Sequence, residues 1–188
     1  MEAKRLGIFP NMTKEKVCAD LQIFVDLCRE QGLVPLLPQE FCAEYNCEDY
    51  DLQDVEALRK LDFAVSLGGD GTLLKMALYL APLGIPAFGV NFGKLGFLAE
   101  IDQPSMRKAI MRLMRGDYSL ENRSLLRAQV MLNDECIKEV HALNDLVLAK
   151  GAYSKMAHMQ MYINGKPSGS YAADGLIVAT ATGSTAYS

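Results

Sequence analysis

Four short apolar runs, Leu6 to Phe9, Leu33 to Leu37, Leu61 to Leu67 and Ile85 to Val90, alternate with helix-like segments over the first 115 residues. Strands joined by a single short helical crossover have to pair in parallel, because an antiparallel neighbour needs only a hairpin. The helical segments carry their own signals. Asn11 or Thr13 stands where a cap belongs, and Val17, Leu21, Phe24, Val25 and Cys28 keep helical spacing until Gly32. Thr72 to Ala81 is a second helix, and residues 40 to 56, acidic and without a long apolar period, are expected as loop plus an irregular helix. Pro104 to Arg115 is another amphipathic helix, with Met106, Ile110, Leu113 and Met114 as its stripe and Gly116 as its stop. The expectation is an α/β N-terminal domain with a doubly wound parallel sheet.

Beyond that the apolar period falls to two. Leu126 to Val130 alternates, Asn133-Asp134 reads as a turn, and Ile137 to Leu148 is apolar with a break at Asn144-Asp145. Ala157, Met159, Met161 and Ile163 share one face, and Asn164-Gly165 is a hairpin signal. A boundary near residue 118 follows, with domains 1–118 (α/β) and 119–188 (mostly antiparallel β). The last residues, ATATGSTAYS, stop inside a small-residue loop, so the chain reads as the N-terminal part of something longer, with the β domain partial.

At 188 residues the chain can bury a sizeable core. Its 23 acids against 19 bases give a formal charge of -4, which offers no general attraction to nucleic acid or an anionic membrane. No apolar run reaches spanning length and the start lacks an export signal, so a cytoplasmic protein is expected. Five cysteines, Cys18, Cys28, Cys42, Cys47 and Cys136, show no CxxC spacing and are read as reduced structural thiols.

The chemistry gathers at Val65 to Leu74, VSLGGDGTLL. A strand that ends in Gly68-Gly69 and re-enters a helix near Thr72 leaves main-chain N–H groups without partners at the positive end of a helix dipole, where phosphate oxygens are natural acceptors. Glycine at 68, 69 and 71 lets the ligand approach the backbone and suits positive φ. Asp70 beside phosphate needs its own reason: taking the proton of an attacking hydroxyl, or holding hydrated Mg²⁺. A plain Asp-Gly turn is the bland alternative, but the pentapeptide arises by chance on the order of once in 10⁴ chains of this length, which favours function. Neither GxxxxGK[ST] nor GxGxxG is present.

GGDGT resembles the phosphate-binding turn of NAD kinases, diacylglycerol-type lipid kinases and phosphofructokinases. Three further segments select among them: Asn91 with NFGKLGFL, Asn144-Asp145 in ALNDLVL, and Asp174 to Thr180 running into Thr182 to Ser188. In that order the four resemble the NAD kinase family. The resemblance implies phosphorylation of the adenosine 2′-hydroxyl of NAD by ATP, or polyphosphate, to make NADP, with Asp70 as general base. It implies that Gly68, Gly69, Gly71 and Thr72 hold phosphate, with Lys75 one turn on. Asn144 and Asp145 would hold the ribose, Phe97 and Tyr187 would flank adenine, Thr182, Thr185 and Ala186 would line its edge, and Ser188 would be among the nucleotide-binding residues. Asp174 would face the nicotinamide end. Mg²⁺ would arrive on the nucleotide phosphates rather than on protein ligands, and a homodimer or homotetramer is implied.

Two departures stand out. The family's usual Asn-Glu is Asn144-Asp145 here, and the basic residue common two positions before Asp174 is Ala172, with Lys155 as candidate substitute cation. Asn144-Asp145 also reads as a β-bulge turn, Phe97 as core, and Lys75 and Lys94 as solvated. His141 and His158 read as structural. A lipid kinase sharing GGDGT, or a catalytically incomplete dinucleotide-binding fragment, are the rival readings.

Overall fold

The computed structural model describes residues 3–93, 96–151 and 155–185. Backbone proximity divides the chain into residues 1–121 and 122–188, against the boundary of 118 expected from periodicity.

The first unit is built on six parallel strands: β1 (Arg5–Pro10), β2 (Val34–Pro38), β3 (Glu48–Tyr50), β4 (Phe63–Gly68), β5 (Ala87–Asn91) and β6 (Ile101–Asp102). Their order across the sheet is β3-β2-β1-β4-β5-β6. The chain therefore reverses its direction of winding between β1 and β4, and in open parallel sheets ligands bind outside the carboxyl ends of the strands at that switch point. Asn11, just past β1, donates its N–H to Leu67 O at 2.9 Å and ties the two strand ends together there.

Helices α1 (Glu15–Glu30), α2 (Gln39–Tyr45), α3 (Val55–Leu58), α4 (Asp70–Leu80) and α5 (Met106–Arg115) complete the unit. β4 is buried at every residue, and with β1 it forms the middle of two apolar clusters. In one, the α1 stripe Val17, Leu21, Phe24, Val25 and Cys28 packs with Met106, Ile110 and Leu113 of α5 and with Ile8 and Val65. In the other, Met76 and Leu80 of α4 meet Phe9, Leu36, Tyr50 and Leu58. Met114, expected in the α5 stripe, is only partly buried.

The sequence places four of the six strands. β3 and β6, three and two residues long, carry too few side chains to show a period, and their pairing with β2 and β5 creates them. Neither Asn11 nor Thr13 caps α1. The Asn11 carboxamide accepts from the Thr13 N–H at 3.2 Å and hydroxyl at 2.7 Å, and the cap position falls to Lys14.

The second unit consists of three antiparallel ribbons. β7 (Leu126–Leu132) pairs with β8 (Glu135–Ala142), β9 (Asp145–Ala149) with β12 (Gly175–Ala179), and β10 (Ala157–Ile163) with β11 (Lys166–Ala173). Asn164-Gly165, at φ 51° and 74°, makes the tight turn its sequence calls for, and Asn133-Asp134, at 48° and 67°, makes the other. No apolar side chain is fully buried among this unit's described residues, while Val130, Leu132, Ile137, Leu148 and Ile163 are exposed.

Two outcomes test the packing. The Tyr50 hydroxyl, fully buried, donates to Ile8 O at 2.8 Å and so ties the edge strand to the central one; Tyr50→Phe should cost about 1 kcal/mol in urea unfolding. Burial pushes the Cys28 thiol up to about 12, so it stays protonated at pH 8; alkylation there should label exposed Cys18 and Cys136 first and leave Cys28 unmodified in the folded protein.

Candidate functional site

At the carboxyl end of β4 the glycine turn is tighter than its sequence suggests. Helix α4 begins at Asp70, two residues before Thr72, with Gly69 as its cap. Thr72 N–H and Leu73 N–H both donate to Gly69 O, at 2.9 and 3.1 Å. Thr72 therefore contributes no main-chain donor to a ligand, a correction to the expected set; the open first-turn donors belong to Asp70 and Gly71. None of Gly68, Gly69 or Gly71 adopts positive φ, so conformation is not what requires glycine here. A Cβ on Gly68 would overlap the Thr72 side chain, whereas one on Gly71 would meet nothing within 4 Å. The bareness at Gly71 thus faces open space. Lys75, four residues on and exposed, shares that face of the helix.

The Asp70 carboxylate is not loose in this space. Its Oδ2 accepts from Phe97 N–H at 2.9 Å, and its Oδ1 accepts from Leu98 N–H at 3.2 Å and Ala99 N–H at 2.9 Å. Three successive amides from the segment after β5 hold the acid. A Cβ on Gly96 would overlap that carboxylate, so the backbone approaches only because residue 96 is glycine. A carboxylate offers about four lone-pair positions, and with two used on Oδ1 and one on Oδ2, an acceptor position on Oδ2 remains. Phe97 is 85% exposed, which overturns the reading of it as core. Asn91, buried at the end of β5, accepts from Gly93 N–H at 2.8 Å and turns the chain toward this segment.

Lys14 was missed by sequence reading. Its ammonium donates to Gly68 O at 2.7 Å and lies 3.3 Å from where a Cβ on Gly69 would stand. A cation beside the positive end of α4 is unfavourable unless an anion joins them. Its only sequence signal is its position just after the first strand, which means nothing until β1 is known to lie beside β4.

In the second unit Asn144 sits in the bend between β8 and β9, not in a β-bulge, and Asp145 opens β9, half-buried. Asn144 O accepts from Thr180 N–H at 2.8 Å, and Asn144 Oδ1 is buried without a hydrogen-bond partner. Thr180, just past β12, is buried; its hydroxyl donates to Leu143 O at 2.6 Å and accepts from Gly183 N–H at 3.0 Å. Thr182 and Thr185 follow in the same turn, with Thr182 Oγ1 accepting from Arg123 at 3.2 Å. At the other end of the ribbon Asp174 pairs with Lys150 at 2.6 Å, while Lys155 is exposed; the cation beside Asp174 is Lys150. Ala186, Tyr187, Ser188 and Lys94 lie outside the described residues.

Among the described residues no group of three or more His, Cys, Asp or Glu side chains could hold a metal ion, and no helix is long and apolar enough to cross a membrane. Asp70 is the single carboxylate of the turn and is already turned to three amides, so these residues do not fit a metal site of their own.

Residues 17–118 match the ATP-NAD kinase N-terminal domain and residues 143–188 the ATP-NAD kinase C-terminal domain. The NAD kinase of Thermoanaerobacter sp. (strain X514) is 39% identical over 185 residues, and that of Caldanaerobacter subterraneus subsp. tengcongensis is 40% identical over 185. Each alignment covers 98% of this chain and 65% of the relative, so the chain spans just under two thirds of their length. Yeast NADH kinase, solved in complex with NADH, superposes with a TM-score of 0.88 at 21% identity, covering 100% of this chain and 60% of that one, which supports the fold. With both domains matched in order and the glycine turn and the Asn144 bend lying inside the matched segments, the chain belongs to the NAD kinase family.

Proposed function

We propose that this chain carries the nucleotide and dinucleotide sites of an NAD kinase that transfers the terminal phosphoryl group of ATP to the adenosine 2′-hydroxyl of NAD, in the cytosol, giving NADP. The observation that carries this reading is the buried, unpartnered Oδ1 of Asn144. A buried acceptor left open in the protein is costly unless a ligand completes it, and a ribose hydroxyl is a donor of the right kind.

The rest of the ribbon agrees. Asp145 opens the five-residue pairing of β9 with β12 and Asp174 stands just beyond its other end, about 17 Å away along the ribbon at ~3.4 Å per residue. Asn144 and Asp145 hold the adenosine ribose, Asp174 with Lys150 meets the nicotinamide end, and Thr182 and Thr185 line the adenine side.

On the donor side the open N–H groups of Asp70 and Gly71, the α4 dipole and the ammonium of Lys14 receive phosphate oxygens, with Gly68, Gly69 and Thr72 shaping the turn and Lys75 reaching from the Gly71 face. Asp70 Oδ2 uses its remaining acceptor position to take the 2′-hydroxyl proton. As the ribose oxygen bonds to the terminal phosphorus, the bond to the bridging oxygen breaks and ADP leaves, a transfer that depends mainly on positioning and charge. A divalent cation, Mg²⁺, rides on the donor phosphates and lends charge there. Asn91 shapes the loop that leads to Phe97, whose exposed ring offers a nucleotide base a stacking face, and the enzyme works as a homo-oligomer.

Three outcomes test this. NADP formation should be measurable in a coupled assay with ATP and Mg²⁺; NAD binding without turnover would reject the kinase reading. Asp70→Asn keeps the side-chain shape but exchanges one acceptor for a donor, and should lower kcat by roughly 10² or more while NAD affinity stays within a few-fold by calorimetry. Gly96→Ala, which pushes on the carboxylate without touching its chemistry, should lower kcat by on the order of tenfold or more, with little change in the KM for NAD.

A further inference from the structure

Thr180 is one of only three buried polar or charged residues among those described, and it sits in a unit with no fully buried apolar side chain. Its burial is accompanied by hydrogen bonds rather than by a fully buried apolar core. Its bonds reach both ways across the fold: the N–H to Asn144 O at 2.8 Å, the hydroxyl to Leu143 O at 2.6 Å, and the Gly183 N–H to the hydroxyl at 3.0 Å. One side chain therefore joins the bend that carries Asn144 to the turn that carries Thr182 and Thr185.

The joint leaves no slack. Gly183 lies so close over the main chain of Asn144 that a Cβ there would overlap the Asn144 carbonyl. A hydroxyl has one proton to give, and Thr180 gives it to Leu143, so its orientation is set and the Gly183 amide meets a lone pair. With its own carbonyl taken by Thr180 N–H, Asn144 has a fixed backbone, yet its side-chain Oδ1 stays buried and unpartnered. The protein thus spends three hydrogen bonds on aiming an acceptor that it does not itself use.

We infer that Thr180 is a positioning residue for the phosphoryl acceptor. It acts through the Asn144 bend, holding Oδ1 where a ribose hydroxyl will arrive and setting the bend against the Thr182 to Thr185 turn. The inference rests on the NAD kinase reading for the identity of the ligand, but its structural half stands apart from that reading.

The test replaces Thr180 by Val, which keeps the shape and removes the hydroxyl, and by Ser, which restores it. Thr180→Val should raise the KM for NAD roughly tenfold or more and lower kcat, because a misaimed ribose reacts poorly, while the KM for ATP stays within about twofold. Thr180→Ser should bring the KM for NAD back to within about threefold of the parent. An unchanged KM for NAD, or an equal rise for both substrates, would overturn the inference. Should the valine variant fail to fold, Thr180→Cys, with a weak donor and acceptor in the same place, carries the same expectation. If the parent chain makes no NADP, the kinase reading falls and amide exchange decides the rest. Segments 143–149 and 180–185 should then exchange several-fold faster in Thr180→Val than in Thr180→Ser, and equal rates would remove the positioning role.

Discussion

The parallel pairing of β1 with β4 is the constraint from which the first unit follows. Five matched pairs, from Leu6 opposite Phe63 to Pro10 opposite Leu67, bring the two strands to a common end. Asn11 and Lys14 thereby come beside Gly68, although they lie more than fifty residues away along the chain. Since β2 and β3 continue to one side and β5 and β6 to the other, the crevice at that end is where the winding reverses. The strand order is one used by many dinucleotide-binding proteins, but the glycine turn here follows the fourth strand rather than the first. An apolar β4, buried from Phe63 to Gly68, is what allows a turn so short of side chains to keep its place.

Much of this framework was legible because its elements are long enough to repeat. The α1 stripe from Val17 to Cys28 and the α5 stripe from Met106 to Leu113 bury the residues their spacing nominates. The start of α4 was misplaced because Gly69-Asp70-Gly71 has poor intrinsic helix propensity; the sheet decides it, by delivering Gly68 to a position from which Gly69 O can accept from Thr72 and Leu73. Asn164-Gly165 and Asn133-Asp134 were legible for the opposite reason, since residues tolerant of positive φ settle such turns locally.

The candidate site divides along the same line. Asp70 and Asn144 stand in recognisable local patterns, so the chain announces them. The groups that hold them do not, because each is a long-range contact: Lys14 reaches Gly68 across 54 residues, Thr180 reaches Leu143 across 37, and Phe97 reaches Asp70 across 27. Lys150 is a similar case. Inspection of residues near Asp174 in sequence suggests Lys155, whereas antiparallel pairing of β9 with β12 sets Lys150 beside it. Patterns name the reacting groups; pairing names their supports.

One feature of the first unit links two parts of the site mechanically. Phe97 presents its ring to solvent and, through its own N–H, grips Asp70. Ring and acid are joined by a single residue's backbone, with two further amides fastening the same carboxylate behind it. The ring itself turns about its own single bonds, so only a shift of the backbone from Phe97 to Ala99 re-aims the acid. A group seated on that aromatic surface lies within one residue of the amides that fix the carboxylate's direction.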